Sequence, residues 1–157
     1  MDVTKSIMSN LSGYGVKNIL PLLLDGLKHK AWRAVLANIG ALGNMAYCAP
    51  KQLSGCLPLI VPSLSKTLTT THPKIRDGAS QALKLIGSTI KNSEISSIAD
   101  ILIKAISDPF EYNVRGLNVL LKTQFVHYID APALSLLIPI IDYGLRSKQS
   151  EMRQKTC

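Results

Sequence analysis

Hydrophobic positions along the chain gather into short blocks that recur at a nearly even spacing, with polar breaks between them. Four seven-residue blocks align: Pro21-Leu22-Leu23-Leu24-Asp25-Gly26-Leu27, Pro58-Leu59-Ile60-Val61-Pro62-Ser63-Leu64, Asp100-Ile101-Leu102-Ile103-Lys104-Ala105-Ile106 and Pro139-Ile140-Ile141-Asp142-Tyr143-Gly144-Leu145. The register steps are 37, 42 and 39 residues. The second, third and seventh positions of every block are Leu or Ile, and the sixth is Gly, Ser or Ala. A small residue at one fixed place lets a neighbouring helix come close, so the block reads as a packing unit.

A second apolar-periodic stretch follows each block: Lys30 to Cys48, Pro73 to Asn92, Tyr112 to Tyr128, and a last one beginning near Gln149. Ala79, Leu83 and Ile86 keep the i, i+4, i+7 rule, and Leu117, Leu120 and Leu121 fall on one stripe, as a helix with a single buried face requires. Pro50, Pro73, Pro109 and Pro132 stand where helices should begin, because a missing N–H costs nothing there. Pro21, Pro58, Pro62 and Pro139 fall within the first helices and predict a kink or a late start. No stretch alternates as a strand would. Paired helices at a period near 40 predict an all-α fold, a HEAT-type α-solenoid (α-α superhelix) of about four helix pairs. Residues 1–13 read as an N-terminal extension and 14–157 as the repeat segment. The last stretch runs to Lys155-Thr156-Cys157 without a stop signal, which predicts a segment of a longer solenoid.

Composition narrows the class. The chain has 157 residues, 46% hydrophobic and 18% charged, enough for one domain with a core. Eighteen Lys and Arg against 10 Asp and Glu leave a formal charge of +8, which favours anionic partners. Aromatic residues amount to 5%, too few for an extended base-stacking platform. Met1-Asp2-Val3-Thr4-Lys5 lacks a secretory n-region, and no apolar run approaches the roughly 20 residues of a membrane span, so a cytoplasmic location is expected. Cys48, Cys56 and Cys157 read as reduced thiols buried as small hydrophobes.

The chemistry points to binding. His29, His72 and His127 have no metal-ligand spacing, Gly40-Ala41-Leu42-Gly43 reads as close helix packing, and the carboxylates do not cluster. We therefore expect no enzyme activity, no metal and no cofactor. Lys28, Lys30, Arg33, Lys74, Arg76, Arg115, Arg146, Lys148, Arg153 and Lys155 fall at or beside the turns within helix pairs and should line one edge. Such an edge could meet ribosomal or transfer RNA phosphates, or cap helix C-termini. Asp108 and Glu111 beside Arg115 interrupt it at the third turn. Arg33, Arg76, Arg115 and Arg153 recur 43, 39 and 38 residues apart, which suggests a ladder between adjacent repeats with Arg76 and Asp108 as one rung. Trp32 reads as a packing anchor, and Phe125 to Asp130 as the end of a helix shaping the turn into the fourth repeat.

At Trp32-Arg33, Met45-Ala46-Tyr47-Cys48-Ala49-Pro50-Lys51-Gln52-Leu53, Thr71-His72-Pro73-Lys74, Ile90-Lys91-Asn92-Ser93-Glu94-Ile95, Ser107-Asp108-Pro109 and Phe125-Val126-His127-Tyr128-Ile129-Asp130-Ala131-Pro132, the chain resembles one family. This is the translational activator of general amino-acid control (general control nonderepressible one), in the central region that is similar to the HEAT domain of fungal elongation factor three. The resemblance covers roughly residues 14 to 157. It implies a cytoplasmic scaffold on translating ribosomes that helps a kinase sense uncharged tRNA and phosphorylate initiation factor two. It further implies that the kinase binds other regions of the parent protein, and that the matched region meets the ribosome and an ABC-type ATPase partner. The chain departs from the family pattern at Ala34-Val35, where Thr-Lys is usual, and at Thr70, where an acid is usual. The alternatives are a HEAT adaptor for protein partners, of the transport or phosphatase-scaffold type, and the HEAT domain of an elongation-factor-three-like protein.

Overall fold

The computed structural model describes residues 12–157, in which every regular element is an α-helix. They are α1 (Gly13–Gly26), α2 (Trp32–Cys48), α3 (Pro50–Ser54), α4 (Leu57–Leu68), α5 (Pro73–Gly87), α6 (Ser93–Ser107), α7 (Pro109–Lys122), α8 (Ala131–Leu145) and α9 (Ser150–Thr156). Four pairs result, α1/α2, α4/α5, α6/α7 and α8/α9, with the short α3 bridging the first two. The expected extension lies almost wholly outside the described residues. No described helix is long and apolar enough to cross a membrane.

Proline starts the helices as its chemistry requires: Pro50, Pro73 and Pro109 open α3, α5 and α7, and Pro132 is the second residue of α8. Pro58 is likewise a late start, second in α4, whereas Pro21, Pro62 and Pro139 lie inside helices that continue through them. In three of the four blocks the small sixth position is where the second helix of the pair crosses the first. A Cβ on Gly26 would collide with the Asn38 side chain of α2, and one on Gly144 would collide with Thr156 of α9. In the third pair the small residues face each other, and a Cβ on Gly116 would stand 2.9 Å from that of Ala105.

A continuous core runs through the pairs, with Ile39, Leu42, Leu57, Ile60, Leu64, Leu83, Ile95 and Leu102 all but removed from solvent. The most extensive contact joins α2 to α5, the second helices of adjacent pairs, as solenoid stacking demands. Stacking of the first helices is less regular. α8 packs against α6 and more extensively against α4, two pairs back, while α6 makes its largest contact with α7 and only a slight one with α4. In α7, Asn113 is fully buried and donates from Nδ2 to the Ile140 carbonyl of α8 at 3.1 Å.

Four expectations need correction. The stretch read from Tyr112 to Tyr128 starts earlier, at Pro109, and its helix stops at Lys122, because the Asp108 side chain caps its start and Thr123 turns extended. Phe125 to Asp130 is consequently a connecting loop, not a helix end. Leu121 is 65% exposed, so the buried face of α7 is carried by Leu117, with Leu120 half-buried beside it. Among the thiols only Cys56 is buried; Cys48 is half-buried and Cys157 exposed.

Candidate functional site

The turns within pairs bring the candidate basic residues to one end of the helices, in two groups. In the first, the N-termini of α2 and α5 lie side by side, and Trp32 stacks on His72 with ring centroids 4.8 Å apart. The Arg33 guanidinium stands 4.9 Å and the Lys74 ammonium 5.3 Å from the Trp32 ring centroid, within cation–π range. Lys28 pairs with Asp25 at 3.2 Å, whereas Lys30, Arg33 and Lys74 form no ion pair among the described residues.

Neither helix start carries a side-chain cap. Ala31 and His72 occupy the N-cap positions without a side-chain hydrogen bond to the first turn, and no acid lies in either first turn. The helix dipole leaves partial positive charge at such an end and normally attracts an acid there. Here Arg33, Lys74 and Arg76 occupy the first turns instead, so three cations add to two uncapped helix starts. A C-terminal capping role does not apply to them. His72 Nδ1 is buried without a hydrogen-bond partner among the described residues.

In the second group most of the cations are engaged. Arg146 binds Asp142 at 2.8 Å and Lys155 binds Glu151 at 2.8 Å, one turn apart on exposed helix faces. Arg153 donates from Nη1 to the carbonyls of Ser147 and Lys148, both at 2.9 Å, closing the turn between α8 and α9. Arg76 does the same for the turn between α4 and α5, donating to the Thr70 carbonyl at 3.4 Å. Both arginines reach back six residues, so these two of the four recurring Arg serve the turn within their own pair. The expected Arg76–Asp108 rung is not formed: the Asp108 carboxylate accepts from the Glu111 N–H at the start of α7. Arg115 lies in the middle of α7, away from the turn.

Two features had no clear signal in the sequence. The first is a groove of about 840 Å³ between the C-terminal ends of α4 and α8, over the α6–α7 elbow. It combines Lys66 with Arg146 and Lys148, and it exposes Phe110 and Tyr143. The second is a strap between distant motif residues. His127 donates from Nδ1 to Glu94 Oε1 at 2.6 Å, and Asn92 Nδ2 donates to the Tyr128 carbonyl at 3.3 Å. The His127 hydrogen bond, followed by the backbone N–H of Glu94 itself, holds the Glu94 carboxyl down at about 2. Among the described residues no group of His, Cys, Asp or Glu is placed to hold a metal ion.

Paired helices stacked around a continuous core, with their charged residues on the connecting turns, define a helical-repeat scaffold. The chain belongs to the EF3 N-terminal HEAT repeat family, whose model matches residues 1–83; a second model, Elongation factor 3/GNC1 HEAT repeat, matches residues 114–157. Protein ILITYHIA of Arabidopsis thaliana is 49% identical over 96% of the chain, and the stalled ribosome sensor GCN1 of Homo sapiens 47% over 98%. The eIF-2-alpha kinase activator GCN1 of Dictyostelium discoideum is 46% identical over 99%. The chain spans about 6% of the length of each of these relatives. Elongation factor 3 proteins stand further off, at 26–27% identity. The resemblance to the general control activator read from Trp32-Arg33 and the other motifs is therefore found again over nearly the whole chain.

Proposed function

We propose that this chain is a non-catalytic HEAT-repeat scaffold segment of a cytoplasmic, ribosome-associated translational activator, one that promotes activation of the kinase phosphorylating initiation factor two. The relatives' names, stalled ribosome sensor and eIF-2-alpha kinase activator, support this reading. The segment's part is to hold an anionic ribosomal surface, while the kinase engages other regions of the parent protein. An ABC-type ATPase is a further partner of the same region. Residues 14–157 then form one stretch of a longer solenoid.

The observation that carries the reading is the pair of uncapped helix starts at α2 and α5, where Arg33, Lys74 and Arg76 accumulate against the dipole rule. Positive charge of this kind costs folding stability and is offset when phosphate oxygens occupy the site. Lys28 and Lys30 extend the edge on one side. Arg146, Lys148, Arg153 and Lys155 extend it on the other, weakened by their own acids and carbonyls.

Sedimentation of the chain with purified ribosomes across a salt series tests the proposal. The wild type should co-sediment at low salt and be released as salt rises. Lys30→Glu, Arg33→Glu and Lys74→Glu together should abolish retention, each lost phosphate contact lowering the logarithmic salt slope by about 0.7–0.9. Equal retention of the triple variant would overturn it. The elongation-factor-three-like alternative shares both family matches, over 1–83 and 114–157, but its relatives are the more distant ones, at 26–27% identity.

A further inference from the structure

The groove over the α6–α7 elbow lies apart from the Trp32–His72 stack, shares Arg146 and Lys148 with the far end of the basic edge, and adds to them an apolar cavity. Its floor is aliphatic, with Leu68 and Ile106 buried beneath it and Met152 of α9 closing one side. Phe110, the second residue of α7, is 88% exposed at its mouth, and Tyr143 faces it from α8. An aromatic ring left in water beside an apolar cavity of this size is the arrangement by which a peptide anchor is taken up. The cavity falls within the volume usual for a ligand site, roughly 300–1,000 Å³.

Charge decides which peptide. Lys66, Arg146 and Lys148 stand on the rim, and the only acid among the lining residues, Asp142, is held by Arg146. Lys66 and Lys148 form no ion pair among the described residues. The rim therefore offers unpaired positive charge around an apolar slot. Within the chain no two acidic residues are adjacent, so it holds no acidic run of its own to fill the slot. We infer that this groove docks a short acidic peptide segment of another protein, with an aromatic or aliphatic side chain seated beside Phe110 and Tyr143 and flanking carboxylates on Lys66 and Lys148. A nucleic-acid strand fits less well, because the aliphatic floor offers no hydrogen bonds to base edges and Phe110 and Tyr143 at the mouth are too few to stack successive bases.

Fluorescence anisotropy of the full chain with three labelled probes tests the inference: a peptide of Asp and Glu bearing Phe and Leu at every third or fourth position, the same peptide with Ser replacing Phe and Leu, and an oligouridine. The first should bind and the second should not. Phe110→Ala should weaken binding about fivefold or more, as removal of a central anchor does. Its exposure keeps the variant folded, which circular dichroism checks. Lys66→Glu with Lys148→Glu should weaken binding to a similar degree, and Lys30→Glu with Lys74→Glu should leave it unchanged. Any of four results would overturn the assignment. These are no binding of the first peptide, equal binding of the Ser peptide, equal loss from the Lys30 and Lys74 changes, or tighter binding of oligouridine that depends on Phe110.

Discussion

The two halves of the molecule start their helices differently. In the first half α2, α3, α4 and α5 begin at Ala31, Ala49, Cys56 and His72, none of which makes a side-chain cap. In the second half α6, α7 and α8 begin at Asn92, Asp108 and Asp130, whose side chains accept from Ile95, Glu111 and Ala133 at 2.9, 3.3 and 3.0 Å. Apart from the two end helices, where Ser12 caps α1 through the Gly15 N–H at 3.3 Å and Gln149 leaves α9 without a side-chain cap, the repeat thus meets this local requirement in one half and leaves it open in the other. The open half also carries the cations that a helix start disfavours. Local stability is given up where the turns face outward with positive charge, and kept where Asp and Asn can serve the backbone.

That contrast can be broken from either side. The largest effect is expected in the capped half: Asp108→Ala and Asp130→Ala should each lower the unfolding free energy by about 1 kcal/mol, read from urea denaturation. Next comes the Trp32–His72 coupling in the uncapped half, where the two rings stack across the open helix starts and Trp32→Ala removes it. Its loss should cost about 0.5–1.5 kcal/mol beyond the area exposed, separable from simple truncation by a double-mutant cycle with His72→Ala. Ala31→Asp supplies the missing acceptor to α2, whose N-cap backbone is already extended. It should raise stability by about 0.5 kcal/mol or more while releasing ribosomes at lower salt. If the variant gains stability and keeps its ribosome retention, the open helix start has no part in binding.

The smallest effect concerns the strap. Because the folded Glu94 carboxyl is held down at about 2 from an ordinary value of 4.5, its stabilising effect is present above the ordinary range. It is lost as the pH falls toward 2. Glu94→Gln should therefore melt below the wild type at neutral pH, and the two melting temperatures should converge in a titration from about pH 5 down to 2. A gap that stays constant across that range would mean the strap stabilises by shape rather than charge.

Much of the fold could be read from the chain because its signals are local. The small sixth position, the leading prolines and the period near 40 each belong to one segment, and Gly26, Ala105 and Gly144 sit at the crossings that their size suggests. The turns' basic residues were legible for the same reason. Their duties were not, since Arg76 and Arg153 bond carbonyls that carry no sequence signal. The recurring Arg suggested a ladder between repeats, but the partners of Arg76 and Arg153 lie six residues upstream. The groove has no local signature because it joins residues from α4, α6, α7, α8 and α9, none unusual on its own stretch. Leu121 and the Phe125 to Tyr128 loop misled in the opposite sense, being apolar yet left in solvent.

The contact of α8 with α4 has a consequence for how the molecule comes apart. A regular solenoid is a row of nearest neighbours, and such a row can melt piecemeal from an end. Here the fourth pair is clamped to the second across the third, which ties three pairs into one cooperative unit. The clamp also raises the mean sequence separation of contacts, which slows folding relative to a simple helical array. Mechanically, the segment from α4 to α9 acts as one block, joined to the first pair through the extensive α2–α5 contact.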